Sequence, residues 1–136
     1  MATAPLRRIS ANQVSHATVT AGMKVHTELG PGLLESTYTA CLRHELSTDG
    51  YRAAVQVGLP VIYRGVKLEP GYRIDLLVEN LVIVEIKSVD AISPVHQAQL
   101  LSYLKLSGKS LGLLINFNVV HLKDGIRRFV NGTGWN

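Results

Sequence analysis

The sequence has very little cysteine: Cys41 is the only one among 136 residues. One cysteine excludes an internal disulfide and any cluster of cysteine ligands, so an iron–sulfur site within this chain is excluded too. We therefore expect Cys41 to be a small residue of the hydrophobic core.

Long apolar runs are also missing from the sequence. No stretch approaches the roughly 18 consecutive apolar residues that a membrane-spanning helix needs. Arg7 and Arg8 lie near the start, but the apolar segment of a secretory signal does not follow them. These absences predict a cytoplasmic protein with no membrane partner.

Acidic residues are outnumbered by basic ones, 10 to 14, which gives a net charge of +4 and a pI near 9.4. A basic protein suits a polyanionic partner such as nucleic acid, although charge alone discriminates little, since many small proteins are basic. A content of 46% hydrophobic and 18% charged residues is typical of a globular chain. We expect a flexible arm over residues 1–10, one domain over residues 11–130 and a frayed end over residues 131–136.

The clearest local pattern is a predicted β-hairpin in the middle of the chain. Two β-type runs, Ile74–Val78 and Leu81–Ile86, flank the polar pair Glu79-Asn80. The second run is apolar except for Glu85, and Lys87 follows on the same side because strand side chains alternate. Charges on a half-buried strand are costly unless they pair with each other or bind a cation. The pattern therefore leaves two interpretations open, an ion pair at the rim of the sheet or a cation site.

Asp75, in the first run of the hairpin, favours the cation site. It stands opposite Glu85 only if the connection has an odd length, such as Glu79–Leu81, or contains a bulge. A two-residue turn would place Asp75 opposite Val84 instead. A site for a hard divalent cation therefore predicts a three-residue or bulged connection, with two carboxylates and Lys87 at one end of the hairpin.

Hydrophobic periodicity and turn residues predict an α/β fold (mixed α+β), in which helices flank a mixed sheet of about five strands. A helix between two strands of one sheet predicts a right-handed crossover and a parallel pair. Gly58 and Pro60 indicate a bent or edge strand. We expect helices from about Ala11 to Leu29, from about Leu33 onward and from Pro94 to about Leu106, and further strands over Tyr51–Val57, Leu59–Tyr63, Leu111–Phe117 and Ile126–Val130.

Three motifs together resemble a known family. Asp75 and, ten positions later, Glu85-Ile86-Lys87 resemble the metal site of the PD-(D/E)xK nuclease superfamily. The segment Gly32–Tyr38 matches the motif that names the GxxExxY family, a small bacterial branch of that superfamily. Gln99–Tyr103 matches the Gln-x-x-x-Tyr signature of several nuclease branches. The three motifs occur in this order within roughly Val19–Val130, which makes the combined resemblance specific.

The resemblance implies a restriction-endonuclease-like core and a metal-dependent nuclease. By this comparison, Asp75, Glu85 and the backbone carbonyl of Ile86 would hold Mg²⁺ or Mn²⁺. Lys87 would orient or deprotonate the attacking water. Glu35 would complete the metal or water shell as a further ligand, directly or through water. The reaction implied is hydrolysis of phosphodiester bonds in DNA, with RNA as the alternative substrate.

Three further motif residues, Tyr38, Gln99 and Tyr103, would support the site or contact nucleic acid according to the resemblance. Gln99 and Tyr103 are four residues apart and share one face of their predicted helix. Purely structural explanations also exist. An acidic side chain such as Glu35 suits the first turn of a helix, and a half-buried tyrosine is common at the border of a helix.

Two other functions stay open. A protein with this fold and little activity would serve as a nucleic-acid-binding module. The second is a structural subunit of a DNA-processing assembly, because so small a domain has little surface for gripping a duplex unless it forms a homodimer. Metal affinity at Asp75 and Glu85 separates a nuclease from these two alternatives, because only a nuclease needs it.

Overall fold

Residues 9–135 are described by the structure, a computed structural model of the chain. The arm predicted over residues 1–10 therefore lies mostly outside the described residues, as does Asn136. The elements are helices α1 (Ala11–Leu29), α2 (Glu35–Thr48) and α3 (Pro94–Ser107), and strands β1 (Ala53–Tyr63), β2 (Val66–Val78), β3 (Val82–Lys87), β4 (Leu111–Asn116) and β5 (Ile126–Val130), with a short 3₁₀ helix (Leu122–Gly125) before β5.

The five strands form one mixed sheet in the order β1-β2-β3-β4-β5. Neighbouring strands are antiparallel except β3 and β4, which are parallel and are joined by the crossover helix α3. This arrangement confirms the predicted α/β class, the mixed five-stranded sheet and the parallel pair. It is consistent with a restriction-endonuclease-like fold.

The sheet separates two hydrophobic clusters. Val82, Val84 and Ile86 face the cluster that contains side chains of α1 and α2. Ile83 faces the opposite cluster, which contains side chains of α3. All four side chains are fully buried, which confirms that β3 is covered on both faces and that its residues alternate as predicted. Cys41 packs, half-buried, against the first cluster.

The helix ends follow local sequence signals. Ser10 caps α1 through a reciprocal pair of hydrogen bonds with Gln13, and α1 ends at Gly30, whose φ is +67°. Ser93 caps α3 in the same way, and α3 ends at Gly108, close to the end predicted at about Leu106. No helix within residues 9–135 has both the length and the apolar character needed to cross a membrane.

Two predicted strands merge in the structure. The segments expected over Tyr51–Val57 and Leu59–Tyr63 form the single edge strand β1, with a register shift against β2 between Leu59 and Val61. The shift lies beside Pro60, which confirms the predicted bend in an edge strand. The strand continues through the bend because β2 pairs with it on both sides of the shift.

Gly112 of β4 packs directly under Leu100 of α3. A Cβ atom at Gly112 would lie 2.9 Å from Leu100 Cδ1, closer than packed atoms allow. Gly112→Ala should therefore lower the free energy of unfolding by about 1–3 kcal/mol in urea denaturation. Gly134→Ala is the matched control, because its Cβ would meet Ser110 at an ordinary 3.6 Å. An unfolding midpoint unchanged by Gly112→Ala would contradict this packing.

Candidate functional site

The hairpin formed by β2 and β3 has the register that the cation site requires. Its cross-strand pairs end at Leu76 and Val84, and the connection between the strands is Glu79–Leu81. The predicted three-residue connection is confirmed. Continuing the same register by one residue places Asp75 opposite Glu85.

Beyond the pair of Leu76 and Val84, side chains replace the backbone ladder. The Ile86 amide donates a hydrogen bond of 2.8 Å to Asp75 Oδ2. The Asp75 amide donates one of 3.2 Å to Glu85 Oε1. Each carboxylate therefore accepts a hydrogen bond from a backbone amide of the opposite strand. The two strands part where the acidic side chains meet.

The β1–β2 ladder is also interrupted at this point. It skips Gln56 and Asp75, and Gln56 has a φ of +51°, a left-handed conformation that is costly for a non-glycine residue. Ile74 packs in the cluster with α3, whereas Leu76 packs in the cluster with α1 and α2. Residues two apart in a strand normally share a face, so β2 twists at Asp75. The twist leaves the Asp75 amide free to bond Glu85 rather than β1.

Asp75 and Glu85 form an acid pair, and its electrostatics follow from burial. Glu85 is 4% exposed. Burial, and after it the charge of Asp75 and a hydrogen bond between the two carboxyl groups, raises the pKa of Glu85 from 4.5 to about 8. The Asp75 amide and the charge of Lys87 lower the pKa, but by less. In the absence of a cation, Glu85 is therefore protonated at neutral pH.

The backbone around Lys87 directs one more oxygen toward the acid pair. The Phe117 amide donates a 2.9 Å hydrogen bond to the Lys87 carbonyl, so the backbone of Lys87 faces β4. Successive residues of a strand direct their backbone groups to opposite sides, and the Ile86 amide already bonds Asp75 on β2. The Ile86 carbonyl therefore faces the gap between β2 and β3.

Asn116, which no sequence motif marked, fixes the chain just after Lys87. It ends β4 opposite Lys87 and is 2% exposed. Its Oδ1 accepts from the Val89 amide at 3.1 Å, and its Nδ2 donates to the Val89 carbonyl at 3.0 Å. The signal in the sequence is faint: a polar residue that closes an otherwise apolar strand.

Glu35 does not join the acid pair, but it lines the same cavity as Asp75. It is exposed at the start of α2 and lines a cavity of about 420 Å³ together with Asp75, Gln56 and Arg43. Within residues 9–135, no three or more histidine, cysteine, aspartate or glutamate side chains lie close enough to hold a metal ion. The structure thus brings two carboxylates together, and ligation by Glu35 stays a prediction.

Tyr38 is buried and holds the loop before α2 through hydrogen bonds to its backbone. Its hydroxyl donates a 2.6 Å hydrogen bond to the Gly30 carbonyl and accepts one of 3.1 Å from the Leu33 amide. Its ring stacks on Phe117 at 4.4 Å and is 0% exposed, so the side chain does not reach the surface. The Ser88 hydroxyl donates to the Leu33 carbonyl at 2.6 Å. The loop before α2 is thereby tied to the end of β3.

Gln99 and Tyr103 form a pair on α3. Gln99 Nε2 donates a 3.1 Å hydrogen bond to the Tyr103 hydroxyl. Tyr103 is 5% exposed. Burial, and after it the negative charge of Glu85, raises the pKa of Tyr103. Tyr103 also packs in one cluster with Ile74 and Ile83, which are strand neighbours of the acid pair.

A mixed five-stranded sheet with two acids and a lysine at the end of its central hairpin is the architecture of a nuclease class. The chain belongs to the PD-(D/E)XK nuclease superfamily, whose family profile matches residues 12–129. Searches of curated proteins and of solved structures gave no significant match. The family match does not reach the narrower GxxExxY branch, which stays a prediction.

The raised pKa of Glu85 predicts how stability depends on pH. Between pH 4.5 and about 8, folded Glu85 holds a proton that the unfolded chain releases. The free energy of unfolding should therefore fall as pH rises from 5 to 8 in EDTA, and this contribution should level off above pH 8. Urea denaturation across this range should show a smaller fall for Glu85→Gln.

Glu69→Gln is the control for this measurement, because Glu69 is exposed and forms its salt bridge with Lys67 at the surface. It should keep the pH dependence of the parent protein. An equally steep fall in Glu85→Gln would contradict the burial of an uncompensated carboxylate.

The two hydrogen bonds of Tyr38 predict a measurable contribution to stability. Tyr38→Phe keeps the ring stacked on Phe117 but leaves the Gly30 carbonyl and Leu33 amide without their partner. Urea denaturation should show a loss of about 1–2 kcal/mol. Tyr63→Phe, at a tyrosine that is 59% exposed, should cost almost nothing. Equal stability of the two variants would contradict this role.

Proposed function

We propose that the protein is a divalent-metal-dependent nuclease that hydrolyses phosphodiester bonds, with DNA as its substrate. The observation that carries the proposal is the exchange of hydrogen bonds between Asp75 and the strand of Glu85 where β2 and β3 part. This geometry directs two carboxylates into one gap, and Lys87 ends the same strand. Membership of the nuclease superfamily supports the same reaction.

The donor set fits Mg²⁺ or Mn²⁺. The two hydrogen bonds from backbone amides use one oxygen of each carboxylate. A cation would displace the proton shared by the two carboxyl groups, and the second oxygen of each would then bind it. The Ile86 carbonyl would supply a third hard oxygen ligand from the protein. When bound, the ion would polarise a phosphate oxygen and lower the pKa of a bound water. It would also relieve the cost of placing two carboxylates side by side in a buried site.

Lys87 would position the attacking water and offset negative charge as the phosphate becomes pentavalent. Its backbone is fixed by β4, which limits the positions its ammonium group can take. Glu35, across the cavity that it shares with Asp75, would order water around the site. Gln99 and Tyr103 would support the nucleic-acid strand from the side of α3.

One observation favours a second candidate function. Only two carboxylates lie together among the described residues, and no third completes a metal cluster. A protein with such a centre would serve as a nucleic-acid-binding module or structural subunit with low activity. The homodimer and the cytoplasmic location expected from the sequence stay predictions.

Cleavage of labelled oligonucleotides tests the proposed activity. Single-stranded DNA, duplex DNA and RNA would each be incubated with the protein in Mg²⁺, Mn²⁺ or EDTA. We expect cleavage of DNA with metal and none in EDTA. Asp75→Asn and Lys87→Met should each lower the rate about 10²- to 10⁴-fold.

Glu69→Gln serves as the control again and should cleave like the parent protein. Cleavage that persists in EDTA, or that survives Asp75→Asn, would contradict the metal mechanism. Binding of DNA without cleavage in any metal would favour the second candidate function.

A further inference from the structure

A cavity of about 760 Å³ lies between α3 and the β1–β2 hairpin, beside Tyr103. Val61 and Tyr72 line it from the hairpin, and Val95, Gln99 and Tyr103 line it from the helix. Tyr103 packs in one cluster with Ile74, which precedes Asp75, and with Ile83, which shares a face of β3 with Glu85. One wall of the cavity therefore belongs to the surroundings of the acid pair. A ligand in this cavity would lie next to the gap between β2 and β3.

Tyr72 offers an aromatic surface to this cavity. It is 45% exposed, whereas Tyr103 is 5% exposed. The two ring centres are 5.9 Å apart and the rings are tilted by 50°. Tyr103 therefore packs against Tyr72 from the buried side, and Tyr72 stays nearly half exposed where it lines the cavity. A supported and exposed aromatic ring is suited to stacking against a flat ligand.

The rest of the lining matches a nucleobase on a charged backbone. Val95 is 75% exposed and extends the apolar wall from Tyr72. Lys105 supplies a positive charge to the lining, and the lining contributed by the described residues contains no acidic side chain. An apolar wall with positive charge at its border favours a base together with its phosphate.

We propose that this cavity binds an unpaired nucleobase, stacked on Tyr72, from the strand that enters the acid pair. The proposal rests on the proposed function, because it names the substrate class of that site. A paired base within a duplex has both faces stacked and cannot occupy the cavity. The substrate is therefore single-stranded nucleic acid, or a duplex with an unpaired end, rather than a blunt duplex.

Binding in EDTA tests the stacking without cleavage. Fluorescence anisotropy would measure the Kd of a short single-stranded DNA, a blunt duplex and an all-abasic strand of the same length. Tyr72→Ala should weaken binding of the single strand about 5- to 10-fold, the low end for one stacked base. It should leave the abasic strand unchanged, because that strand has no base to stack.

Two matched variants show whether the aromatic ring of Tyr72 accounts for the affinity for single-stranded DNA. Tyr72→Phe keeps the ring and should bind the single strand like the parent protein. Tyr63→Ala removes another exposed tyrosine of the same hairpin, outside the cavity lining, and should have no effect. A single-strand affinity unchanged by Tyr72→Ala would overturn the proposal. So would an equal loss with the abasic strand, or a blunt duplex bound as tightly as the single strand.

A parallel cleavage assay separates this proposal from the proposed function. If the parent protein shows the base-dependent binding but cleaves nothing in Mg²⁺ or Mn²⁺, binding of a nucleobase in the cavity is supported and the nuclease activity is contradicted. If it cleaves DNA but Tyr72→Ala leaves binding unchanged, the activity is supported and the stacking site is overturned.

Discussion

The local structure of the site depends on the parting of β2 and β3 at Asp75 and Glu85. A regular antiparallel ladder would consume the backbone groups at this position, and the acidic side chains would then face a closed sheet. Here the Ile86 and Asp75 amides bond carboxylate oxygens instead, at 2.8 and 3.2 Å. Both amides are satisfied in this way, and the gap between the strands stays open for a ligand.

The surrounding structure holds that gap in place from three directions. Asn116 fixes the chain that leaves β3 through its bonds to Val89. Tyr38 holds the loop before α2, and the Ser88 hydroxyl bonds the same loop at the Leu33 carbonyl. None of these groups has to contact substrate to matter, because each restricts where the lysine and the acids can lie. Gln56, strained and opposite Asp75, completes the arrangement by removing a ladder partner.

The hairpin connection and the main helices were predictable from the sequence because they depend on local patterns. The three-residue connection followed from the requirement that Asp75 meet Glu85, and the bounds of α1 and α3 followed from hydrophobic periodicity and turn residues. The positive φ of Gln56 was not predictable, since glutamine carries no preference for that conformation. The role of Asn116 was also hidden, because its partner Val89 is 27 residues away and is reached only through the parallel pairing of β3 with β4. Tyr38 could be found by motif spacing, but its buried hydroxyl contacts could not.

Calorimetric titration of Mn²⁺ into the metal-free protein and into Asp75→Asn tests the central claim most directly, which is that Asp75 and Glu85 hold a divalent cation. Circular dichroism of both proteins would first establish that the variant is folded. The account predicts saturable binding of one ion per chain by the parent protein and no binding by Asp75→Asn at the same concentrations. Absence of binding by the parent protein with single-stranded DNA present, or equal binding by the variant, would contradict it.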